Sequence, residues 1–159
     1  MKDLIKNHIA EHQAVLGELS NLIPQIEGVA STLVNALKNG QTIFWCGNGG
    51  SASDSQHLAG ELVGRYKGDR KPLKSIALNA DSAVMTCIVN DYGYEHIYSR
   101  QVEGLGLERD VLVGITTSGN SENVLNALIT ANEMGLKTIG LLGKGGGKAA
   151  SLAQQSIII

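Results

Sequence analysis

His57 and Glu61 stand four residues apart, so a helix carrying them presents an imidazole and a carboxylate on one face. That pair suits a partial metal site or an acid–base couple, and suits equally a solvated stripe that Arg65 extends by one turn. Two ligands fall short of the three protein ligands a catalytic zinc takes, so spacing leaves these alternatives open. A second group is denser. In GITTSGNSENV, Thr116, Thr117, Ser118 and Ser121 set four hydroxyls around Gly119-Asn120, directly ahead of a helical pattern. Hydroxyls and backbone N–H groups at the positive end of a helix dipole hold an anion without help from a basic side chain. A phosphate monoester fits such a turn, whereas serine capping alone needs fewer hydroxyls.

The stretch FWCGNGGSASDSQH carries Gly47, Gly49 and Ala52 at the spacing of a dinucleotide turn, after an apolar run. A dinucleotide also wants an acidic residue closing the second strand. Here that strand ends SIALNADS, where Asp81 is better placed as a helix N-cap. Asn48 and the hydroxyls of Ser51, Ser53 and Ser55 make the loop more polar than a pyrophosphate turn requires. The later GKGGGKA lacks the Ser/Thr of a P-loop and reads as a glycine turn with two solvated lysines. In NDYGYEH, Asn90-Asp91 ahead of Gly93 reads as an Asx turn. If it lies by the sheet's carboxyl edge, Asp91 becomes a candidate ligand for a substrate hydroxyl.

These groups need a scaffold. Apolar runs at 42–46, 75–78, 111–115, 137–142 and 156–159 alternate with helical patterns near 51–66, 82–90, 94–104, 121–134 and 147–153. Strands without polar alternation predict a parallel sheet covered on both faces. The expected fold class is therefore α/β, a doubly wound five-stranded parallel sheet over 41–159, preceded by an antiparallel N-terminal helical pair in 1–40. Pro24 separates the two helices, and Asn39-Gly40 stops the second. The pair either covers one sheet face or buries its stripe against another copy.

The 159 residues read as one domain, and 20 glycines mark tight strand-to-helix turns. A net charge of −2 gives no electrostatic case for nucleic acid or an anionic membrane. The chain has neither an 18-residue apolar run nor a signal-peptide core, and a cytoplasmic protein is expected. Cys46 and Cys87 show neither zinc nor redox spacing and read as small packing residues.

Taken together, CGNGGSASDSQHLAGELVGRY, NDYGYE with the later SRQVE, and GITTSGNSENVLNAL resemble the sugar isomerase (SIS) domain family, in its phosphoheptose isomerase branch. LLGKGGGKAA is similar to the family's next glycine turn, and the resemblance runs over nearly the whole chain. It implies an SIS fold and a homotetramer with active sites between subunits. The implied reaction isomerises sedoheptulose 7-phosphate to D-glycero-D-manno-heptose 7-phosphate, the opening step of heptose synthesis for bacterial surface polysaccharide. By position, Asn48, Gly49, Gly50, Asn90 and Asp91 would contact substrate, and Thr116, Thr117, Ser118 and Ser121 would hold the phosphate. His57 and Glu61 would bind Zn2+, with both taking catalytic roles, and Arg65 would line the same site. The family completes its metal site with a Gln and a His from a C-terminal helix, whereas this sequence ends on SIII. These 159 residues alone are therefore expected to be weakly active or inactive. The rival readings are a non-catalytic SIS protein that binds the replication initiator and a sugar-phosphate-sensing SIS domain.

Overall fold

The computed structural model describes residues 1–159. Five strands, β1 (Ile43–Gly47), β2 (Ser75–Ala77), β3 (Val111–Thr116), β4 (Lys137–Leu142) and β5 (Gln155–Ile158), form one sheet. Their order is β2-β1-β3-β4-β5 and every pair is parallel. Ile43 registers with both Ser75 and Val111, and Val111 with Lys137. All of β1 is buried, which is why its sequence runs apolar without alternation.

Handedness then distributes the helices. Passing from β1 to β2 moves one way along the sheet, while every later crossover moves the other way. Right-handed crossovers therefore put α3 (Gly50–Val63) on one face. They put α4 (Ser82–Tyr92), α5 (Ser99–Leu105), α6 (Glu122–Glu133) and α7 (Ala149–Leu152) on the opposite one. The buried side chains agree. Ile43, Trp45, Val111 and Val113 pack with Ala59 of α3, whereas Phe44, Cys46 and Leu112 pack with Ile88, Val102 and Leu128. The first face is completed by Val29 and Ala36 of α2 (Ile23–Lys38).

The N-terminal helices differ from expectation in how they join. α1 (Lys2–Glu18) buries none of its residues, and a 3-10 turn (Leu19–Leu22) links it to α2. The backbone at Glu18, Leu19, Leu22 and Ile23 keeps right-handed helical angles, so the helices continue end to end and do not fold back as an antiparallel pair. Pro24 does not reverse the chain because it occupies the first turn of α2, where its missing N–H costs no helical bond. The cysteine reading divides as well: Cys46 is buried, while Cys87 is exposed on α4 with its thiol 3.8 Å from Asp91 Oδ2.

Candidate active site

The chain leaves β1 in one direction and β3 in the other, so their carboxyl ends flank the crevice where doubly wound sheets bind ligands. Two helix N-termini meet there. Gly49 is the N-cap of α3 with φ +58 and ψ −120, a backbone conformation that favours glycine. A Cβ on Gly47 would stand 2.7 Å from Ser51 Cβ and 2.9 Å from the Ile115 carbonyl oxygen. Close helix–strand packing thus accounts for the dinucleotide-like glycine spacing without a dinucleotide.

On the other side, Ser121 is the N-cap of α6, yet its hydroxyl lies 3.1 Å from Thr116 Oγ1 and makes no capping bond. The N–H groups of Thr117, Ser118, Ser121, Glu122 and Asn123 have no acceptor within the chain. Thr117, Ser118 and Ser121 line a cleft of about 220 Å³ together with Asn48, Ser51 and Thr116, with no lysine or arginine in its wall, while Glu122 and Asn123 line the cleft beside it. Oriented backbone donors at a helix N-terminus attract anions. The glycine turn at 143–147 backs this loop. Ala149 N–H donates to the Gly119 carbonyl at 2.9 Å, and a Cβ on Gly119 would fall 1.9 Å from the Gly146 carbonyl oxygen.

Sequence reasoning missed the support around Asn48. Its side-chain amide pairs with that of Asn123 on α6, and the Tyr94 hydroxyl donates to Asn48 Oδ1 at 2.9 Å. Tyr98 donates to the Gly47 carbonyl at 2.5 Å, and burial, helped by Cys46 and Tyr94, pushes its hydroxyl pKa above the usual tyrosine value. It therefore remains a donor. A neighbouring cleft of about 200 Å³ shares Asn48 and Ser121 and adds Tyr94, Glu95 and Glu122. The one available signal was polar Asn123 within an otherwise apolar stripe of α6.

His57 and Glu61 occupy one face of α3, with His57 Nε2 3.3 Å from Glu61 Oε1. They line a different groove, about 490 Å³, against Leu33 and Leu37 of α2, so one chain does not bring them into the hydroxyl cleft. A tetrahedral zinc with bonds near 2.0–2.1 Å also separates its donors by about 3.3 Å. The chain nonetheless groups no third His, Cys, Asp or Glu with them. Arg65 lies beyond the end of α3 and makes no ion pair with Glu61. Instead Arg70 closes that helix, donating to the Glu61 carbonyl at 2.6 Å and the Leu62 carbonyl at 2.9 Å. Asn90 and Asp91 are exposed in the last turn of α4, hydrogen-bonded to each other at 2.7 Å and outside both clefts of the switch point.

Comparison with known proteins follows the same lines. Residues 7–143 match the SIS domain family. A phosphoheptose isomerase from Campylobacter concisus is 49% identical over 147 residues, covering 92% of this chain and 78% of the relative. Among solved structures, a phosphoheptose isomerase from Francisella tularensis superposes with TM-score 0.93 at 35% identity, covering 99% of this chain and 84% of that one. Phosphoheptose isomerase GmhA from Neisseria gonorrhoeae superposes with TM-score 0.89 at 38% identity, covering 99% of this chain and 83% of that one. The chain belongs to the SIS domain family and, within it, to the phosphoheptose isomerases.

Proposed function

We propose that this isomerase converts sedoheptulose 7-phosphate to D-glycero-D-manno-heptose 7-phosphate, opening heptose synthesis for surface polysaccharide in the cytoplasm. The observation that carries the reading is the hydroxyl cleft at the switch point, whose neutral donors suit the 7-phosphate of a sugar. Phosphate held there by Thr116, Thr117, Ser118 and Ser121 fixes the far end of the substrate and supplies remote binding energy for the reacting end. Asn48, Gly49 and Gly50 at the start of α3 contact the same molecule.

The reaction takes a proton from C1, returns one to C2, and moves a hydroxyl proton from O1 to O2. Glu61 is the group for the carbon proton, and His57, 3.3 Å from it, orients its carboxylate. His57 and Glu61 would also hold zinc, completed by ligands from beyond this pair, and the metal would supply polarisation of the substrate carbonyl. Because the two grooves are separate within one chain, the reading includes a homotetramer in which copies meet at the site. Arg65, Asn90 and Asp91, exposed and outside the lining of the cleft, are then available to substrate from a neighbouring copy.

Incubation with sedoheptulose 7-phosphate and zinc in deuterated water tests this, because carbon-bound deuterium accumulates even when turnover is slow. Label at C1 of the ketose or C2 of the aldose is expected. Binding without any label would favour a sensing domain, and neither binding nor label would favour a protein-binding relative.

A further inference from the structure

The first and third loops are joined by a head-to-tail amide pair. Asn48 Nδ2 donates to Asn123 Oδ1 at 2.9 Å, and Asn123 Nδ2 donates back to Asn48 Oδ1 at 2.9 Å. Such a pair would hold equally well with both amides flipped. Tyr94 breaks the symmetry. Its hydroxyl lies 2.9 Å from Asn48 Oδ1 and has no other acceptor in the chain, whereas Tyr98 spends its one proton on the Gly47 carbonyl. A hydroxyl proton is satisfied there only by oxygen. Asn123 is 2% exposed and its side chain makes no other hydrogen bond, so both of its amide ends are committed to Asn48. Asn48 borders the hydroxyl cleft, and its Nδ2 keeps a second hydrogen with no acceptor in the chain.

We infer that Asn123 is a positioning residue that fixes the Asn48 amide so that its spare N–H, and not its carbonyl, is offered to a phosphate in the cleft. Without the lock, the Asn48 amide is free to turn its oxygen toward an anion. The penalty then exceeds one lost hydrogen bond, because a donor is exchanged for a repelling acceptor. The inference rests on the proposed function for the identity of the sugar ester; the lock itself acts on any phosphate.

The test is a double-mutant cycle on Asn48→Ala and Asn123→Ala, read by the dissociation constant of inorganic phosphate and by KM and kcat for sedoheptulose 7-phosphate. Asn123→Ala is expected to weaken phosphate about tenfold and raise KM by the same factor, with the loss falling on KM and not on kcat. In the Asn48→Ala background the same change should add less than about twofold. An equal loss in both backgrounds marks a merely structural residue and overturns the inference, as does undiminished phosphate affinity in Asn123→Ala. Should Asn123→Ala not fold, Tyr94→Phe on the exposed tyrosine probes the same lock. It should weaken phosphate about threefold in the native background and not in Asn48→Ala. A native chain that shows the coupling with phosphate yet never isomerises the sugar defeats the proposed function and leaves the lock standing. One that binds no phosphate defeats both.

Discussion

Ser121 shows how a single hydroxyl divides structural from ligand duty. As an N-cap it would serve the N–H of Asn123 or Val124, but it turns to Thr116 and leaves the first amides of α6 open. Ser121→Ala should therefore cost α6 little, moving the thermal midpoint by less than about 2 °C, because no capping bond is lost. It should weaken inorganic phosphate about 3–10-fold in a competition titration, the worth of one hydrogen bond. A large drop in midpoint with unchanged affinity would make Ser121 a cap after all. Glu61 is different, since its proposed tasks are proton transfer and zinc binding and not the holding of phosphate. Glu61→Gln should lower kcat by at least about 100-fold with little change in phosphate affinity. Deuterium exchange at C1, measured by NMR, should fall in step. The hydroxyl turn was legible because four hydroxyls in six residues exceed what capping asks. Its partners were not, because the contact that orders Asn48 comes from a residue 75 positions away.

At the scale of elements, apolar runs between glycine-rich turns located all five strands to within a residue or two. Parallel strands buried on both faces leave that signature whatever their order in the sheet. The order itself, and hence the crevice between β1 and β3, came only from tertiary pairing. The N-terminal reversal misled because Pro24 reads as a break, and only the observed helical angles through 18–23 show a continuing axis. The turn at 143–147 reads as a glycine turn with two solvated lysines and proves to back the hydroxyl loop. Two alanine substitutions separate these roles. Gly145 has φ +75 with open space around it, so Gly145→Ala meets only backbone strain, about 1 kcal/mol. Gly119 has φ +65 and an occupied Cβ position, so Gly119→Ala adds displacement of the 143–147 turn, about 2–4 kcal/mol in all. Urea unfolding measures both, and phosphate affinity should fall with Gly119→Ala alone. Equal costs would mean that the two loops yield to each other freely.

Two whole-molecule properties follow from what the fold buries and what it leaves bare. Burial pushes the Cys46 thiol from 9.0 up to about 12 and raises the Tyr98 hydroxyl above its ordinary 10.0. The unfolded chain sheds these protons first. The stability from keeping both groups neutral is thus complete below about pH 9 and is lost as pH rises through the folded values. The urea midpoint should fall between about pH 9 and 11, and fall less steeply in Cys46→Ala; parallel curves would remove Cys46 from the account. The bare surface is α1, where Ile9 and Leu16 are 54% and 58% exposed although they follow Leu4 and Ile5 at helical spacing. An apolar stripe on a helix with no buried residue, together with a groove holding His57 and Glu61 apart from the hydroxyl cleft, suits the proposed assembly of copies. Ile9→Asp with Leu16→Glu should accordingly reduce the solution mass measured by light scattering without lowering the unfolding midpoint of the sheet, because neither residue touches the core. Phosphate binding, which needs only loops of one chain, should survive while isomerisation collapses. If the native protein already runs at the mass of one chain, or the charged variant keeps both its mass and its turnover, the site does not depend on a second copy through α1.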